Sequence, residues 1–405
     1  MGCTDASLWH CPSVPMAIAT TKCSTSTSFK LQPFFTKPLI FCCVNGPSDS
    51  TAPSSSESFT RLRYNPLRQR RFDQSLEISR RRWVEADPPP QYQERFMAVS
   101  YNILGDRNAS KHGDLYPNVP SIYMKWHRRK RAICEELIGL NPHIICLQEV
   151  DKYFDLWTIM EKAGYSGSYK TCKAESKRLL IANTHVLYNP SRGDIKLGQL
   201  RYLLSRAHIL SEKWGNIPVV LAGDFNTTPQ SGIYEFLSSS KLNVMLHDRR
   251  ELSGQRSCHP AQIFGVKKEM GNPLVLTDRL VNCCWTVEEV KIATGNAECQ
   301  VVVHPLKLIS SYATVKGSTK TRDSDGEPLA TSYHSKFLGT VDYLWYSDGI
   351  VPTRVLDTLP IDDLRKTGGL PCKNFGSDHL ALVSEFAFIQ NTKDSMSDNT
   401  TDSTV

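Results

Sequence analysis

Five apolar, strand-like stretches of this chain each contain or run into side chains able to bind a divalent cation or a phosphate. The stretches are Met97–Leu104, His143–Asp151, Ile217–Asn226, Gly339–Asp348 and Gly376–Leu380. The side chains they carry are Asn102, Glu149, Asp224, Asn226, Asp342, Asp378 and His379. Hard cations prefer oxygen ligands, and phosphoryl chemistry needs an oriented water, a metal ion and a cationic donor. The pattern favours a metal-dependent phosphodiesterase.

Between these stretches the chain alternates strand and helix patterns over residues 94–389. Asn141-Pro142 ends one predicted helix, and Gly164 ends the next. The predicted helices are Trp126–Leu140, Tyr153–Ala163, Lys196–Trp214 and Ser231–Ser240. The predicted strands are Val99–Leu104, Ile144–Glu149, Leu179–Leu187, Pro218–Ala222, Val341–Tyr346 and Leu380–Phe388. This alternation predicts an α/β fold whose sheets are covered by helices.

The flanking segments have the composition of disordered chain. Residues 54–58 are Ser-rich, residues 61–71 and 80–82 are Arg-rich, and few apolar side chains offset the entropy of ordering. We therefore predict a disordered N-terminal extension and linker over 1–93, one folded domain over 94–389 and a disordered tail over 390–405. The formal net charge of +7 is compatible with an anionic substrate but does not indicate one by itself.

Cysteine spacing and hydropathy exclude two classes of protein. The 13 cysteines include no C-x-x-C pair, so zinc-ribbon and zinc-finger sites are not expected and a reducing compartment is favoured. No stretch has 18 consecutive apolar residues, which argues against a membrane span. We expect the cytoplasm and nucleus. The alternative is a plastid or mitochondrion, if residues 1–48, which are rich in Ser and Thr but lack Arg, act as a transit peptide.

Gly223-Asp224-Phe225-Asn226 is the sharpest single motif. Glycine permits a tight exit from the strand, Asp224 can orient or deprotonate a water, and Asn226 can donate to a phosphate oxygen. An ordinary Asx turn explains the tetrapeptide equally well.

The other candidates also have structural alternatives. His379 can stabilise negative charge on phosphorus as an imidazolium held by Asp378 or by another carboxylate. Glu149 ends an otherwise uncharged strand, where a carboxylate needs a partner or a metal ion. His185 can contact a phosphate or simply hydrogen-bond within the site. Asp342 can belong to a second metal site or to a salt bridge.

The motifs SYNIL, LQEVD, NTHVLYNP, GDFN, VDYLWYSD and GSDHLAL occur in this order over residues 95–389. Together they resemble the exonuclease/endonuclease/phosphatase superfamily, and within it the carbon catabolite repressor-type poly(A) deadenylases of plants. The resemblance implies a DNase I-like sandwich of two stacked sheets flanked by helices. It also implies a Mg²⁺-dependent 3′–5′ exoribonuclease that shortens poly(A) tails and releases 5′-AMP.

The resemblance also implies roles for individual residues. Glu149 would ligate the principal Mg²⁺, with Asn102 beside it; two ions are expected, and Mn²⁺ can replace Mg²⁺. Asp224 would position the attacking water and Asn226 the scissile phosphate. Asp342 would belong to the second-metal or water network, and His185 would contact the phosphate. His379, supported by Asp378, would stabilise the transition state. Pro190 and Phe337 would hold an adenine. The implied partners are single-stranded RNA, poly(A) and proteins of a deadenylase complex.

The chain departs from the family between Gly164–Lys170 and the NTHV strand. Only residues 171–178 bridge a region where the family has several further strands. Deleting an internal strand exposes unpaired backbone on its neighbours. Two other functions are therefore kept: an adenine-nucleotide 2′-phosphatase or phosphoinositide phosphatase of the same superfamily, and an inactive shortened isoform that acts only as a binding protein.

Overall fold

The structure is a computed structural model that describes residues 81–87, 94–167, 178–265 and 285–389, together with the backbone of residues 16–20 and 39–45. The bridge over 171–178, apart from Arg178, and the tail over 390–405 lie outside the described residues. No helix in the described ranges is long and apolar enough to cross a membrane.

Two sheets form the centre of the fold. The first has the strand order β1-β7-β8-β14-β11, and the second has the order β3-β15-β16-β4-β5-β2-β6. The strands of the first sheet are β1 (Met16–Thr20), β7 (Arg178–His185), β8 (Val219–Asp224), β11 (Ile309–Ser310) and β14 (Asp342–Tyr346). The strands of the second are β2 (Leu39–Asn45), β3 (Trp83–Glu85), β4 (Arg95–Asn102), β5 (Ile144–Val150), β6 (Tyr165–Gly167), β15 (Ile350–Leu356) and β16 (Leu382–Phe388).

Helices and two small two-stranded sheets surround these sheets. One pairs β9 (Lys241–Asn243) with β10 (Val301–Val303), and the other is a hairpin of β12 (Ser332–His334) and β13 (Phe337–Gly339). The longer helices are α3 (Trp126–Leu140), α4 (Tyr153–Lys162), α5 (Gly193–Lys213), α6 (Gly232–Ser239) and α8 (Val287–Thr294). The shorter ones are α1 (Asp106–Lys111), α2 (Ser121–Met124), α7 (Pro260–Ile263), α9 (Ser311–Thr314) and α10 (Ile361–Thr367).

Along each strand, successive side chains point to opposite faces of the sheet and pack into different layers. On β8, Val219 and Leu221 pack against residues of α5 and α6, whereas Val220 and Ala222 face the second sheet. On β4, Ala98 faces the first sheet, and Val99 packs toward α3 and α4. This period of two builds a four-layer sandwich with a helical layer on each outer face. The predicted fold class is confirmed.

Three strands lie within the stretch predicted to be a disordered extension, and here the structure differs from the prediction. β1 pairs antiparallel with β7, β2 pairs antiparallel with both β5 and β6, and β3 pairs with β15. The backbone groups of β5 and β7 would otherwise lie at open sheet edges, and added strands satisfy them. Disorder over the rest of 1–93 stays a prediction.

Candidate active site

The candidate side chains meet at one end of the sandwich, between the two sheets. His185 on β7 and Asp342 on β14 both pair with Asp224 on the central strand β8. Asn102, at the end of β4 in the second sheet, donates through Nδ2 to Asp224 Oδ2 at 3.0 Å. This hydrogen bond joins the two sheets where the polar strand ends converge.

Glu149 lies on the second-sheet side of the site. Asn102 Nδ2 donates to its Oε1 at 3.1 Å, and the Gly105 backbone N–H and the Asn108 amide donate to its Oε2 at 2.9 and 2.8 Å. Burial disfavours the carboxylate, but His185 and these hydrogen bonds outweigh burial and lower the pKa of Glu149 below its ordinary value. Glu149 is therefore a preorganised carboxylate.

Asp224 is the centre of the cluster. It accepts hydrogen bonds from Asn102 and, at 2.9 Å, from the backbone N–H of Asn226. His185 Nε2 lies 3.4 Å from Asp224 Oδ2, and His379 Nε2 lies 3.8 Å from the same atom. A carboxylate held in this way can orient a water or accept its proton.

Asp342 and His379 form a buried pair. His379 Nδ1 lies 2.8 Å from Asp342 Oδ2, which also accepts from the Thr331 hydroxyl at 2.6 Å. Burial disfavours the imidazolium, but the neighbouring carboxylates, Asp342 above all, raise the pKa of His379 well above its ordinary value. His379 can therefore present a positive charge in the site.

The expectation that Asp378 supports His379 differs from the structure. Asp378 Oδ2 accepts a hydrogen bond from the Tyr116 hydroxyl at 2.8 Å, whereas the carboxylate that contacts His379 Nδ1 is that of Asp342. Burial opposes the imidazolium, and the charge of Asp378 raises the pKa of His379 less than that of Asp342 does. The direct contact therefore belongs to Asp342, which adjacency in the sequence does not reveal.

The two residues expected to hold an adenine lie on different elements, a loop and a strand. Pro190 is half-buried in the loop after β7, and its carbonyl oxygen accepts from Ser253 Oγ at 3.3 Å. Phe337 begins β13, and its ring centroid lies 6.1 Å from that of His334. A role for them around a base stays a prediction.

Four contacting residues were not identified from the sequence. Asn108 contacts Glu149, Tyr116 contacts Asp378, and Lys196 and Gln255 contact Asn226. Asn108 lies in α1, and all four contacts join residues at least 29 positions apart in the chain, so no local motif marks any of the four.

The donor set fits a divalent cation. Asp224, Asp342 and His379 each offer a ligand atom, and these atoms lie within 4.8 Å of one another. Asp342 Oδ1 is buried without a hydrogen-bond partner among the described residues, which is costly for a carboxylate oxygen unless a cation faces it. Asn102 presents its amide N–H to the carboxylates, and its Oδ1 accepts from the Leu104 backbone N–H at 3.0 Å. In this arrangement Asn102 bridges the acids, and Glu149, Asp224 and Asp342 are the oxygen ligands available to an ion.

Comparisons with known proteins agree with this geometry. The profile of the Endonuclease/Exonuclease/phosphatase family matches residues 99–379. Carbon catabolite repressor protein 4 homolog 3 of Arabidopsis thaliana is 53% identical over 401 aligned residues, covering 86% of this chain and 89% of that protein. These 401 positions exceed the part of this chain that they cover, so the relative has residues that this chain lacks.

Two further proteins are similar at lower identity. The CCR4-Not complex 3′-5′-exoribonuclease subunit Ccr4 of Phaeosphaeria nodorum is 23% identical, covering 73% of this chain and 60% of that protein. The crystal structure of ANGEL2, described as a 2′,3′-cyclic phosphatase in complex with adenosine-2′,3′-vanadate, superposes with a TM-score of 0.59 at 26% identity. It covers 77% of this chain and 99% of that one.

The family and these relatives identify a hydrolytic enzyme of the nuclease or phosphatase type. The relatives with the carbon catabolite repressor name confirm the resemblance drawn from the motifs. The chain belongs to the endonuclease/exonuclease/phosphatase family and, within it, to the carbon catabolite repressor protein 4-type branch.

Proposed function

We propose that this chain is a Mg²⁺-dependent 3′–5′ exoribonuclease that shortens poly(A) and releases 5′-AMP. The observation that carries the proposal is the buried network in which Asn102 joins Glu149 to Asp224 while Asp342 holds His379. The similarity to an exoribonuclease subunit supports the reaction class.

In the proposed reaction the scissile phosphodiester lies between the two sheet ends. Asp224 orients the attacking water and takes its proton. Asn226 and His185 contact the phosphate oxygens, and His379 stabilises the negative charge that develops on them. A divalent cation, held by Glu149 and the neighbouring carboxylates, would polarise the phosphate and activate the water. The oxygen of the water forms a new P–O bond on the released AMP, and the P–O3′ bond to the preceding nucleotide breaks. The departing 3′-oxygen takes up a proton, so the shortened RNA ends in a 3′-hydroxyl.

Shortening of a 5′-labelled oligo(A) by the purified full chain tests this function. We expect 5′-AMP release with Mg²⁺, little with EDTA, and a loss of about 10³-fold in Glu149→Ala. Glu161→Ala, at an exposed position of α4, is the matched control for removing a glutamate. Failure to shorten oligo(A), or equal rates in wild type and Glu149→Ala, contradicts the proposal.

The likeness to ANGEL2 favours a second candidate, a phosphatase that acts on adenine nucleotides or RNA ends carrying a 2′- or 2′,3′-cyclic phosphate. Phosphoinositides remain a third substrate class for the same fold. Phosphate release from 2′-AMP and a phosphoinositide, and ring opening of adenosine 2′,3′-cyclic phosphate, are measured beside AMP release from oligo(A). The preferred substrate by kcat/KM assigns the function.

An inactive shortened isoform predicts a different result. Such a protein would show a cooperative thermal melt and bind oligo(A), yet turn over none of these substrates. Co-purification with deadenylase-complex proteins would support the proposed partners, and a full-length fluorescent fusion distinguishes cytoplasm and nucleus from plastid or mitochondrion.

A further inference from the structure

A lysine is fully buried behind the candidate active site. Lys196, in the first turn of α5, is 0% exposed. Its Nζ donates to the backbone carbonyl oxygen of Asn226 at 2.7 Å and to the side-chain oxygen of Gln255. Both acceptors are neutral, and burial lowers the pKa of Lys196 to about 7. Packing alone would favour an apolar residue here, so the cost of burying an amine indicates a specific role.

Lys196 determines which way the Gln255 amide faces. Lys196 Nζ donates to the Gln255 side-chain oxygen, and as an ammonium it can accept no hydrogen bond, so the Gln255 oxygen points toward it. The Gln255 NH₂ group must then point the other way, and Nε2 donates to Asn226 Oδ1 at 3.0 Å. The orientation of the Gln255 amide therefore fixes which atom of the Asn226 amide faces it.

Gln255 in turn determines which way the Asn226 amide faces. Asn226 Oδ1 accepts from Gln255, and Asn226 Nδ2 donates to the Val186 carbonyl oxygen at 2.9 Å. A flipped amide would set oxygen against oxygen at Val186 and N–H against N–H at Gln255. An amide nitrogen has two N–H groups, and one of them is used by Val186. The second is available to a ligand.

We propose that Lys196 and Gln255 are positioning residues that orient the Asn226 amide so that its second N–H faces a phosphate oxygen of the substrate. The inference rests on the proposed function in one respect, the placement of the scissile phosphate at Asn226. Neither Lys196 nor Gln255 contacts the substrate. Each acts through the amide that does.

Gln255→Glu in the full chain is the decisive variant. Glutamate has the same shape and can pair with Lys196, but it accepts hydrogen bonds where Gln255 donated, so the Asn226 amide must flip and turn its oxygen toward the phosphate. We expect kcat on oligo(A) to fall about 100-fold, with a smaller change in KM. Tm should change little, because the ion pair that the new carboxylate makes with Lys196 offsets the oxygen–oxygen contact of the flipped amide at Val186. A purely structural role predicts the opposite, in which kcat changes only together with Tm.

A double-mutant cycle tests whether the effect passes through Asn226. Gln255→Glu should cause little further loss of kcat in an Asn226→Ala background, because no amide remains to be misoriented. Ser231→Ala is the matched control: it removes buried hydrogen bonds to Thr227 and Thr228 nearby, and it should lower Tm and leave kcat unchanged. Wild-type kcat in Gln255→Glu, or losses that add fully in the double variant, would overturn the proposal.

Lys196→Met, which keeps most of the length of the side chain and removes the amine, should also lower kcat, because the Gln255 oxygen loses the donor that orients it. Affinity for 5′-AMP, measured by calorimetry, needs no turnover and separates this inference from the proposed function. If the wild type fails on oligo(A), the exoribonuclease proposal is wrong, while a Kd for 5′-AMP about 10-fold weaker in Gln255→Glu still supports the positioning role. An unchanged Kd in that case rejects it.

Discussion

At the residue scale, the arrangement of the acids matters more than their number. Asp342 holds His379, Asn102 holds Glu149 and Asp224 together, and Asp378 hydrogen-bonds to Tyr116. Each carboxylate has a distinct set of donors, so each can have a distinct role in one small volume. The structure thus assigns to Asp342 the contact that adjacency in the sequence assigned to Asp378.

Replacing each of these two acids tests that assignment. Asp342→Asn removes the carboxylate that stabilises the His379 imidazolium, so the pKa of His379 should fall and kcat should drop about 100-fold. Asp378→Asn keeps the hydrogen bond that His379 Nδ1 donates to Asp342 and should lower kcat far less. NMR titration of His379 beside kcat measures both effects. A larger fall in the pKa of His379 in Asp378→Asn would reverse the assignment.

At the element scale, the strand ends place the site, and β8 is the element on which the others depend. It lies between β7 and β14, and its Gly223 has φ of +151°. A Cβ at Gly223 would lie 2.1 Å from the Thr184 carbonyl oxygen on the neighbouring strand. The glycine in the GDFN motif is therefore needed for the close approach of β7, immediately before the residues that carry the chemistry.

Gly223→Ala should therefore destabilise the protein by more than about 3 kcal/mol, because either the backbone or the β7–β8 contact must move. Gly139→Ala is the matched control, since a Cβ at this position in the last turn of α3 meets nothing within 4 Å. That variant should gain up to about 1 kcal/mol from helix propensity. Chemical denaturation measures both, and equal stability of the two variants would contradict this role of Gly223.

The N-terminal strands give a second prediction at this scale. In β2, Cys43 pairs with Ile145 of β5 and with Gly167 of β6. Proline at this position lacks the backbone N–H, so Cys43→Pro should lower the free energy of unfolding by about 1–3 kcal/mol. Cys43→Ala, which changes the same position but keeps the backbone N–H, is the control. Equal melting temperatures for the two variants and the wild type would mean that the domain is stable without β2.

Two elements show what sequence patterns detect and what they miss. The strand β15 was not predicted because it contains Pro352, and the structure places this proline where the pairing register with β16 shifts. The helix α8 was also missed, although Thr286 and Glu289 form a capping box that the sequence displays. Recognising β15 requires its partner strand β16, whereas the capping box at the start of α8 is visible in the sequence alone.

At the scale of the whole molecule, the sandwich also buries a carboxyl group that is not one of the candidate site residues. Glu327 is 0% exposed, and its Oε1 accepts from the Tyr234 hydroxyl at 2.8 Å. Burial raises the pKa of Glu327 to about 7. The folded protein therefore binds a proton at this carboxyl more tightly than the unfolded chain does, and stability depends on pH.

This linkage gives a prediction with a definite sign. From about pH 4.5 to pH 7 the folded state holds more protons at Glu327, so its contribution to stability falls as pH rises through that window. Glu327→Gln keeps an acceptor for Tyr234. The variant should be more stable than wild type at pH 8 by at most about 3 kcal/mol, and its free energy of unfolding should depend less on pH. Glu161→Gln, at an exposed position of α4, is the control. Chemical denaturation at pH 5 and pH 8 measures the free energy of unfolding. The same change in that free energy between the two pH values in Glu327→Gln and in wild type would contradict the prediction.

The sequence by itself determined the α/β class, most of the strands and helices, and the identity of the chemical groups. Those properties depend on periodicity, on capping and on motifs only a few residues long, such as the one containing Asp224 and Asn226. Only the tertiary structure decided that Asp342 rather than Asp378 holds His379, and that Lys196 and Gln255 lie behind Asn226. These contacts join segments tens of residues apart in the chain, and they form only when the sheets and helices of the folded domain bring those segments together.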